Sequence, residues 1–417
     1  MSDRRADVIV VGGGVVGAAC AYYLAESGRS VCVVDAGRFG AGCSHGNCGL
    51  VCPSHVLPLA TPGAISKVAR AMLCGNAPLA VRPGWNGSLW AWLWNFARRC
   101  RSDLMLQSAR AQHALLQSSR QLYGELIRQP GFDCEWQDRG LLFVYNAPRE
   151  FDAYAATEQL VRSEFGVAGT RIDGPELPRF EPALKSGLAG GWHYAGDAHL
   201  RPDKLMASWR RLLEARGVAI VEQVEVEAFD AAGGSINALA TSAGRMTAGA
   251  YVLATGALAP RLGRDLGLKL PIQPGKGYSL TMPRPAITPG VPMILEEYHV
   301  GVTPFATGYR LGSTMELAGY DATINRRRLA LLTRGAEQCL RTPTCEPIQE
   351  EWYGWRPMTY DGLPCIGPAP GTANAFVAVG HGMLGVSTSP ATGRLLAELA
   401  TGREAHLDPR PYSVLRF

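Results

Sequence analysis

The first residues with chemistry in their spacing lie near the N-terminus. Gly12-Gly13-Gly14-Val15-Val16-Gly17 sets glycines at the first, third and sixth places of a turn that leaves an apolar strand and opens a helix. In such a turn Gly12 makes the tight bend, Gly14 lets the backbone approach a pyrophosphate, and Gly17 lets helix and strand pack closely. The helix's first amides then face the anion without intrahelical partners. Asp35, 18 residues after Gly17, ends the next apolar strand, where a carboxylate can accept ribose hydroxyls. A glycine turn alone can serve packing only, but strand, helix and acid in this order read as a dinucleotide site. No second fingerprint follows, since Gly190-Gly191 and Gly233-Gly234 lack both the spacing and a following helix. A plain NAD dehydrogenase would not explain the glycine- and cysteine-rich loop Gly40 to Pro53 or the returning C-terminal segment, so one bound dinucleotide, FAD, with electrons delivered directly by a small substrate, is the economical reading.

A second feature competes with this one. Cys43 and Cys48 are spaced C-x4-C soon after the fingerprint, as in flavin disulfide oxidoreductases, and Cys52 adds a third thiol. The missing second fingerprint argues against a redox disulfide and for packed or ring-adjacent thiols.

The elements that must position these residues are legible. Asp7 to Val11 reads as a buried strand, Ala18 to Ser27 as a helix capped by a left-handed Gly28, and Val31 to Val34 as a second buried strand. Helical stretches follow at Trp85 to Cys100, Met105 to Arg128 and Pro202 to Arg216. Strands are expected at Gly140 to Tyr145, Val218 to Val226, Tyr251 to Thr255 and Ala375 to Val379. Pro271 to Thr314 reads as an antiparallel sheet. The last helix is expected from Pro390 to about Ala400, with Ser389 as N-cap. The fold class is α/β plus α+β: a Rossmann-type dinucleotide domain (1–90, 195–260 and 345–417) interrupted by an antiparallel-sheet substrate domain (91–194 and 261–344). The 417 residues suit two or three domains, and 47% hydrophobic with 18% charged residues excludes a disordered chain. A net charge of +5 is too small over this length to suggest nucleic-acid binding, and Arg326-Arg327-Arg328 reads as a solvated face. No signal peptide, spanning helix or disulfide framework is evident, and no metal is expected.

Taken together, these segments resemble the D-amino-acid oxidase superfamily, most closely its bacterial D-amino-acid dehydrogenase small-subunit and D-hydroxyproline dehydrogenase branch. The resemblance runs through Ser44-His45-Gly46-Asn47-Cys48-Gly49, Ala77-Pro78-Leu79-Ala80-Val81-Arg82, Leu253-Ala254-Thr255-Gly256-Ala257 and Lys276-Gly277-Tyr278-Ser279-Leu280. It is strongest in Trp355-Arg356-Pro357-Met358-Thr359-Tyr360-Asp361-Gly362 and Gly380-His381-Gly382-Met383-Leu384-Gly385. It implies noncovalent FAD held by Gly12, Gly14, Val15, Val16, Gly17 and Asp35, with Val224 and Thr255-Gly256 beside the ADP moiety. Ser44, Asn47, Gly49 and Leu50 would pass near the isoalloxazine ring, and His381-Gly382-Met383-Leu384 would run along its pyrimidine edge. A helix beginning after that loop would turn its positive end toward negative charge on the reduced ring. A covalent link through His45 is not implied, because the linking position of relatives aligns nearer Gly46.

By the same resemblance Arg356 is the substrate carboxylate clamp, although Trp355 precedes it where relatives carry leucine. Its competing use is pairing with Asp361 or a backbone carbonyl. Tyr278 and His55 are pocket candidates, and no catalytic base is assigned. The implied reaction is hydride transfer from Cα of a D-amino acid to flavin N5, leaving an imine, with electrons passed to a quinone or other non-NAD acceptor. The stretch Asn47 to His55 resembles enzymes acting on D-proline or 4-hydroxy-D-proline. Alternatives are a glycine/sarcosine-type amine oxidase using O2, the Cys43/Cys48 disulfide enzyme, and a non-catalytic flavin subunit of a complex. The expected location is the cytoplasm. Trp85, Trp90, Trp92 and Trp94 with Arg98, Arg99 and Arg101 could add peripheral contact with the inner membrane face, though core packing is the simpler use. An oligomer is open.

Overall fold

The computed structural model of the chain describes residues 6–66, 79–81 and 87–417. Its first sheet has six strands, in the order Cys365–Pro368, Ala375–Val379, Ala248–Leu253, Ala6–Val11, Val31–Val34 and Ala219–Val221. All pair in parallel except the edge strand Cys365–Pro368. Parallel sheets are covered on both faces, and the strand residues divide accordingly. Val8, Val10 and Val33 face a core built with the helices Val15–Glu26, Ser102–Leu126, Pro202–Ala215 and Gly385–Ala400. Ile9, Val11, Cys32 and Val34 face a second core under a three-stranded antiparallel sheet (Val226–Ala232, Ser235–Thr241, Gly244–Met246).

The other large sheet runs Glu350–Thr359, Ile272–Met282, Gly308–Leu317, Val300–Phe305, Met293–Leu295, Leu141–Tyr145, Gly190–Tyr194 and Thr170–Asp173, with Leu79–Val81 added beside Met315–Leu317. It is antiparallel apart from two parallel contacts, Met293–Leu295 on residues 142–144 and Leu79–Val81 on residues 315–317. We propose that the domain division follows sheet membership. This keeps the sequence-based segments except at three places, the first being Leu79–Val81, which lies in the 1–90 segment but pairs with the second sheet. Glu350–Thr359 joins the second sheet, and Ser102–Leu126 packs into the first core through Leu115, Leu122 and Tyr123.

Several elements differ from the sequence reading. Val218 to Val226 is not one strand. Ala219–Val221 ends at a positive-φ Gln223 (φ 58), and a new strand starts at Val226. The helices Pro148–Phe165 and Arg326–Cys339 were not anticipated, and Arg326-Arg327-Arg328 opens the latter behind an Asn325 cap. The last helix begins at Gly385, so Ser389 and Pro390 lie inside it rather than at its start. Proline is costly there because it leaves the carbonyl four residues earlier without a donor. That carbonyl belongs to Val386, and the buried Tyr123 hydroxyl donates to it at 2.7 Å. Of the motifs quoted above, residues 77, 78 and 82 lie outside the described residues, as does Trp85 of the tryptophan-rich stretch.

Candidate dinucleotide and substrate site

The strand ends of the first sheet and one face of the second enclose a cavity of about 610 Å³. Gly12 has a φ of 109°, and a Cβ there would sit 2.6 Å from the Ala254 carbonyl oxygen. Gly17 stands outside the lining and does its work by being small, since a Cβ would come within 1.9 Å of the Gly12 carbonyl. The Val15 N–H donates to the buried Ser44 Oγ at 2.8 Å, and the Ala18 N–H to the Gly14 carbonyl at 2.8 Å. Val16 and Gly17 carry the helix's remaining first-turn amides. Asp35 accepts the Gly13 N–H at 2.6 Å and the Gly37 N–H at 2.7 Å, so its carboxylate also closes the turn. The Val224 N–H reaches the Asp35 carbonyl at 3.0 Å, which brings Val224 to the same end of the cavity. Gly12, Gly14, Val15, Val16, Asp35, Val224, Thr255 and Gly256 all line this end.

The loop at residues 42–50 is gripped from the second sheet. Ser279 Oγ donates to the Gly46 carbonyl at 2.7 Å and Thr303 Oγ1 to the Cys48 carbonyl at 2.8 Å. Arg310, 1% exposed, donates through Nη1 to the Asn47 carbonyl at 2.8 Å and the His45 carbonyl at 3.2 Å. Asn47 folds the loop on itself, donating to the Ser44 carbonyl (2.9 Å) and accepting the Gly49 N–H (2.8 Å). Ser44, Asn47, Gly49 and Leu50 therefore line the cavity as a fixed wall. His381, Gly382, Met383 and Leu384 line the facing wall, where the helix from Gly385 begins. The His381 imidazole itself turns away to Thr392 Oγ1 at 3.0 Å, and burial pushes its pKa down to about 3.

These residues fit an FAD. Gly14 leaves room at the helix end, with only Ser44 Oγ within contact range of a would-be Cβ, at 3.3 Å. Thr255 Oγ1 is buried in the wall without a partner among the described residues, which a ribose or phosphate oxygen would relieve. Bound there, FAD supplies the two-electron acceptor that a protein side chain cannot.

Arg356 reaches the cavity from the strand Glu350–Thr359. Its guanidinium lies flat over Gly277 of the neighbouring strand, where a Cβ would fall 2.2 Å from Nη1. Nη1 donates to the Thr314 carbonyl at 2.8 Å. That carbonyl is aimed by a β-bulge: Ser313 (φ 114°) and Thr314 (φ 54°) are both left-handed, where the register slips between Lys276 and Tyr278. Asp361 pairs instead with Arg416, at 2.7 Å, and among the described residues no carboxylate pairs with Arg356. Burial lowers the guanidinium's pKa from its usual value, an effect a bound carboxylate would oppose.

Tyr278 and His55 also line the cavity. The Tyr278 hydroxyl donates to Glu316 at 2.7 Å, and burial pushes its pKa up, so it stays protonated. His55 rests on Phe143, with burial lowering its pKa to about 4. Cys43 and Cys48 are free thiols. Burial raises both, opposite to the lowered thiol of a disulfide-exchange centre, and Cys48 points at the side-chain-free Gly301 and Gly312. Sequence reasoning missed Arg310, the bulge at Ser313-Thr314 and Gly277's steric task. Each depends on a strand neighbour distant in sequence, and only the quoted Lys276-Gly277-Tyr278 motif offered a signal.

The family model described as FAD dependent oxidoreductase matches residues 7–399. The chain belongs to this family. Among curated family members it is 36% identical to a D-amino acid dehydrogenase of Paramagnetospirillum magneticum, over 98% of both chains. It is 32% identical to one of Granulibacter bethesdensis, over 98% of this chain and 99% of the other. Glycine oxidase from Geobacillus kaustophilus superposes with a TM-score of 0.81 at 25% identity, over 99% of each chain. L-proline dehydrogenase from P. horikoshii shares the fold, with a TM-score of 0.74 at 21% identity over 99% of this chain and 98% of that one. Among the described residues no helix is long and apolar enough to cross a membrane.

Proposed function

We propose that this flavoenzyme is a dehydrogenase that oxidises a D-amino acid to its imine and hands the electrons to an acceptor other than NAD. The observation that carries the reading is Arg356: a guanidinium in the cavity wall, positioned by Gly277 and the Thr314 carbonyl, with no carboxylate among the described residues to satisfy it. Its free edge can hold a substrate carboxylate through paired hydrogen bonds and fix Cα in one orientation. The helix opening at Gly385 favours negative charge beside residues 381–384. Leu50, Ile294 and Val386 keep the cavity apolar between these poles. No side chain is assigned as a base, because Tyr278 is tied to Glu316 and His55 is a weak base. The His45 imidazole donates to the Glu350 carboxylate, 2.7 Å away, which supports noncovalent FAD.

The substrate class we favour is a cyclic secondary amine acid, D-proline or 4-hydroxy-D-proline. Its support is the likeness of Asn47 to His55, a stretch that supplies six of the cavity's lining residues: Asn47, Cys48, Gly49, Leu50, Cys52 and His55. A quinone acceptor would bring the protein to a membrane surface. The exposed Trp90 (57%) and Trp94 (67%), on a helix ending in Arg98 and Arg99, suit that contact. Trp92 of the same helix is instead buried and donates to the Met358 carbonyl. The test is a panel of D- and L-amino acids added anaerobically to FAD-loaded protein, then repeated with a dye acceptor and with oxygen alone. D-Amino acids should bleach the flavin and support dye reduction. A loaded protein that no member bleaches would instead be a non-catalytic subunit, and equal turnover with oxygen alone would make it an oxidase.

A further inference from the structure

The wall of the cavity holds a set of donors that the proposed turnover does not use. Cys52-Pro53-Ser54-His55 is a β-turn closed by the His55 N–H on the Cys52 carbonyl at 3.1 Å, with proline where its fixed φ favours the turn. Asp197 meets this turn from the bend between Gly190–Tyr194 and Ala198–His199. Ser54 holds it there, through its N–H on Oδ1 at 3.0 Å and its hydroxyl on Oδ2 at 2.5 Å. One donor atom each from Cys52, His55 and Asp197 lies within 4.8 Å of the other two. Cys52 and Asp197 are 2% and 1% exposed. His55 Nδ1 is buried with no hydrogen-bond partner among the described residues.

We propose that Cys52, His55 and Asp197 form a binding site for a borderline divalent transition-metal cation of the Zn²⁺ class. A sulfur, an imidazole nitrogen and one carboxylate select against Mg²⁺ and Ca²⁺, which take oxygen ligands. Three protein donors leave a fourth tetrahedral position, and because Cys52 and His55 both line the cavity, that position opens toward the substrate. The donors must draw together by roughly 1 Å to meet at ligand distances of about 2.0–2.3 Å. The closed turn and the Ser54 clamp hold most of that geometry beforehand. On binding, the Cys52 thiol releases its proton to solvent and the thiolate, imidazole and carboxylate donate to the ion, with no change of oxidation state. The ion would pin the loop to the Asp197 bend and narrow the substrate end of the cavity.

Equilibrium dialysis of the FAD-loaded protein against Zn²⁺, with Co²⁺ difference spectra as reporter, tests this. Wild type should take up one ion per chain and show a thiolate-to-cobalt charge-transfer band in the near ultraviolet, while Zn²⁺ raises KM for the amino acid. Cys52→Ser should lose the band. Separately, His55→Ala, Asp197→Asn and the clamp variant Ser54→Ala should each weaken binding about tenfold or more. Cys345→Ser, at a thiol away from the cavity, should bind as wild type. If one variant fails to retain FAD, the others probe the same ion independently. No saturable uptake by wild type would overturn the proposal, and so would uptake and a cobalt band that survive in all four site variants. Neither result touches the dehydrogenase reading, which flavin bleaching by substrate decides on its own.

Discussion

Replacing Gly277 by alanine puts a methyl group where the Arg356 guanidinium lies. The added carbon would fall 2.2 Å from Nη1, 2.4 Å from Cζ and 2.5 Å from Nη2. Ordinary contact needs about 3.5–4 Å, so the guanidinium must retreat by about 1 Å or more. Gly277 pairs in unbroken register with Gly354 on one side and faces the bulge on the other, and the obstacle is the end of a flexible side chain, so the sheet should survive. What is lost is aim: the bond from Nη1 to the Thr314 carbonyl at 2.8 Å and the line-up with a substrate carboxylate. A hydrogen bond to a charged group contributes about 1.5–3 kcal/mol, which predicts a fall in kcat/KM of about 10- to 150-fold. Dye-linked steady-state kinetics on a D-amino acid should show it mostly in KM, with flavin content unchanged. In a double variant, Arg356→Ala should add little to Gly277→Ala, since both remove one interaction. Wild-type kcat and KM in Gly277→Ala would refute the clamp.

Three further outcomes follow from the same geometry. Asp35→Ala frees the Gly13 and Gly37 amides and removes the carboxylate proposed to accept the ribose hydroxyls, so FAD affinity should fall about tenfold or more, measured by flavin titration of the stripped protein. Undiminished affinity would remove Asp35 from the cofactor site. Tyr123→Phe leaves the Val386 carbonyl, already deprived of a helical donor by Pro390, with only a 3.3 Å contact from Ser389 Oγ. Stability should drop by about 1–3 kcal/mol, read as a lower urea midpoint at constant m. For His381 the folded pKa of about 3 lies below the ordinary 6.5. Its contribution is therefore full above pH 6.5 and lost as pH falls from there toward 3, at about 1.4 kcal/mol per unit. His381→Asn should make the decline of the urea midpoint between about pH 7 and about pH 5 shallower, and an unchanged decline would contradict the assignment.

Local patterns in this chain hold where one stretch of residues carries its own instruction. The fingerprint, the strand Val31–Val34 and the Gly28 cap (φ 85°) need only apolar runs and glycines at fixed offsets. The last helix starts at Gly385, four residues before its local start signal. Ser389-Pro390 is a good local start signal, but a tyrosine hydroxyl from 263 residues earlier in the chain satisfies the carbonyl that proline orphans. Propensity yielded to a partner that no local window contains.

The sequence by itself determined the glycine turn at the head of the first helix, because Gly12, Gly14, Gly17 and Asp35 act through backbone conformation and near neighbours. It also supplied Arg356, through a motif held in one segment. Only the tertiary structure decided how that arginine is aimed, since Gly277 and the Thr314 carbonyl come from strands paired across the second sheet. The same holds for Arg310 on the loop carbonyls and for Asp197 beside Cys52 and His55. Strand pairing sets those distances, and the register that fixes it is a property of the whole packed sheet rather than of any one stretch.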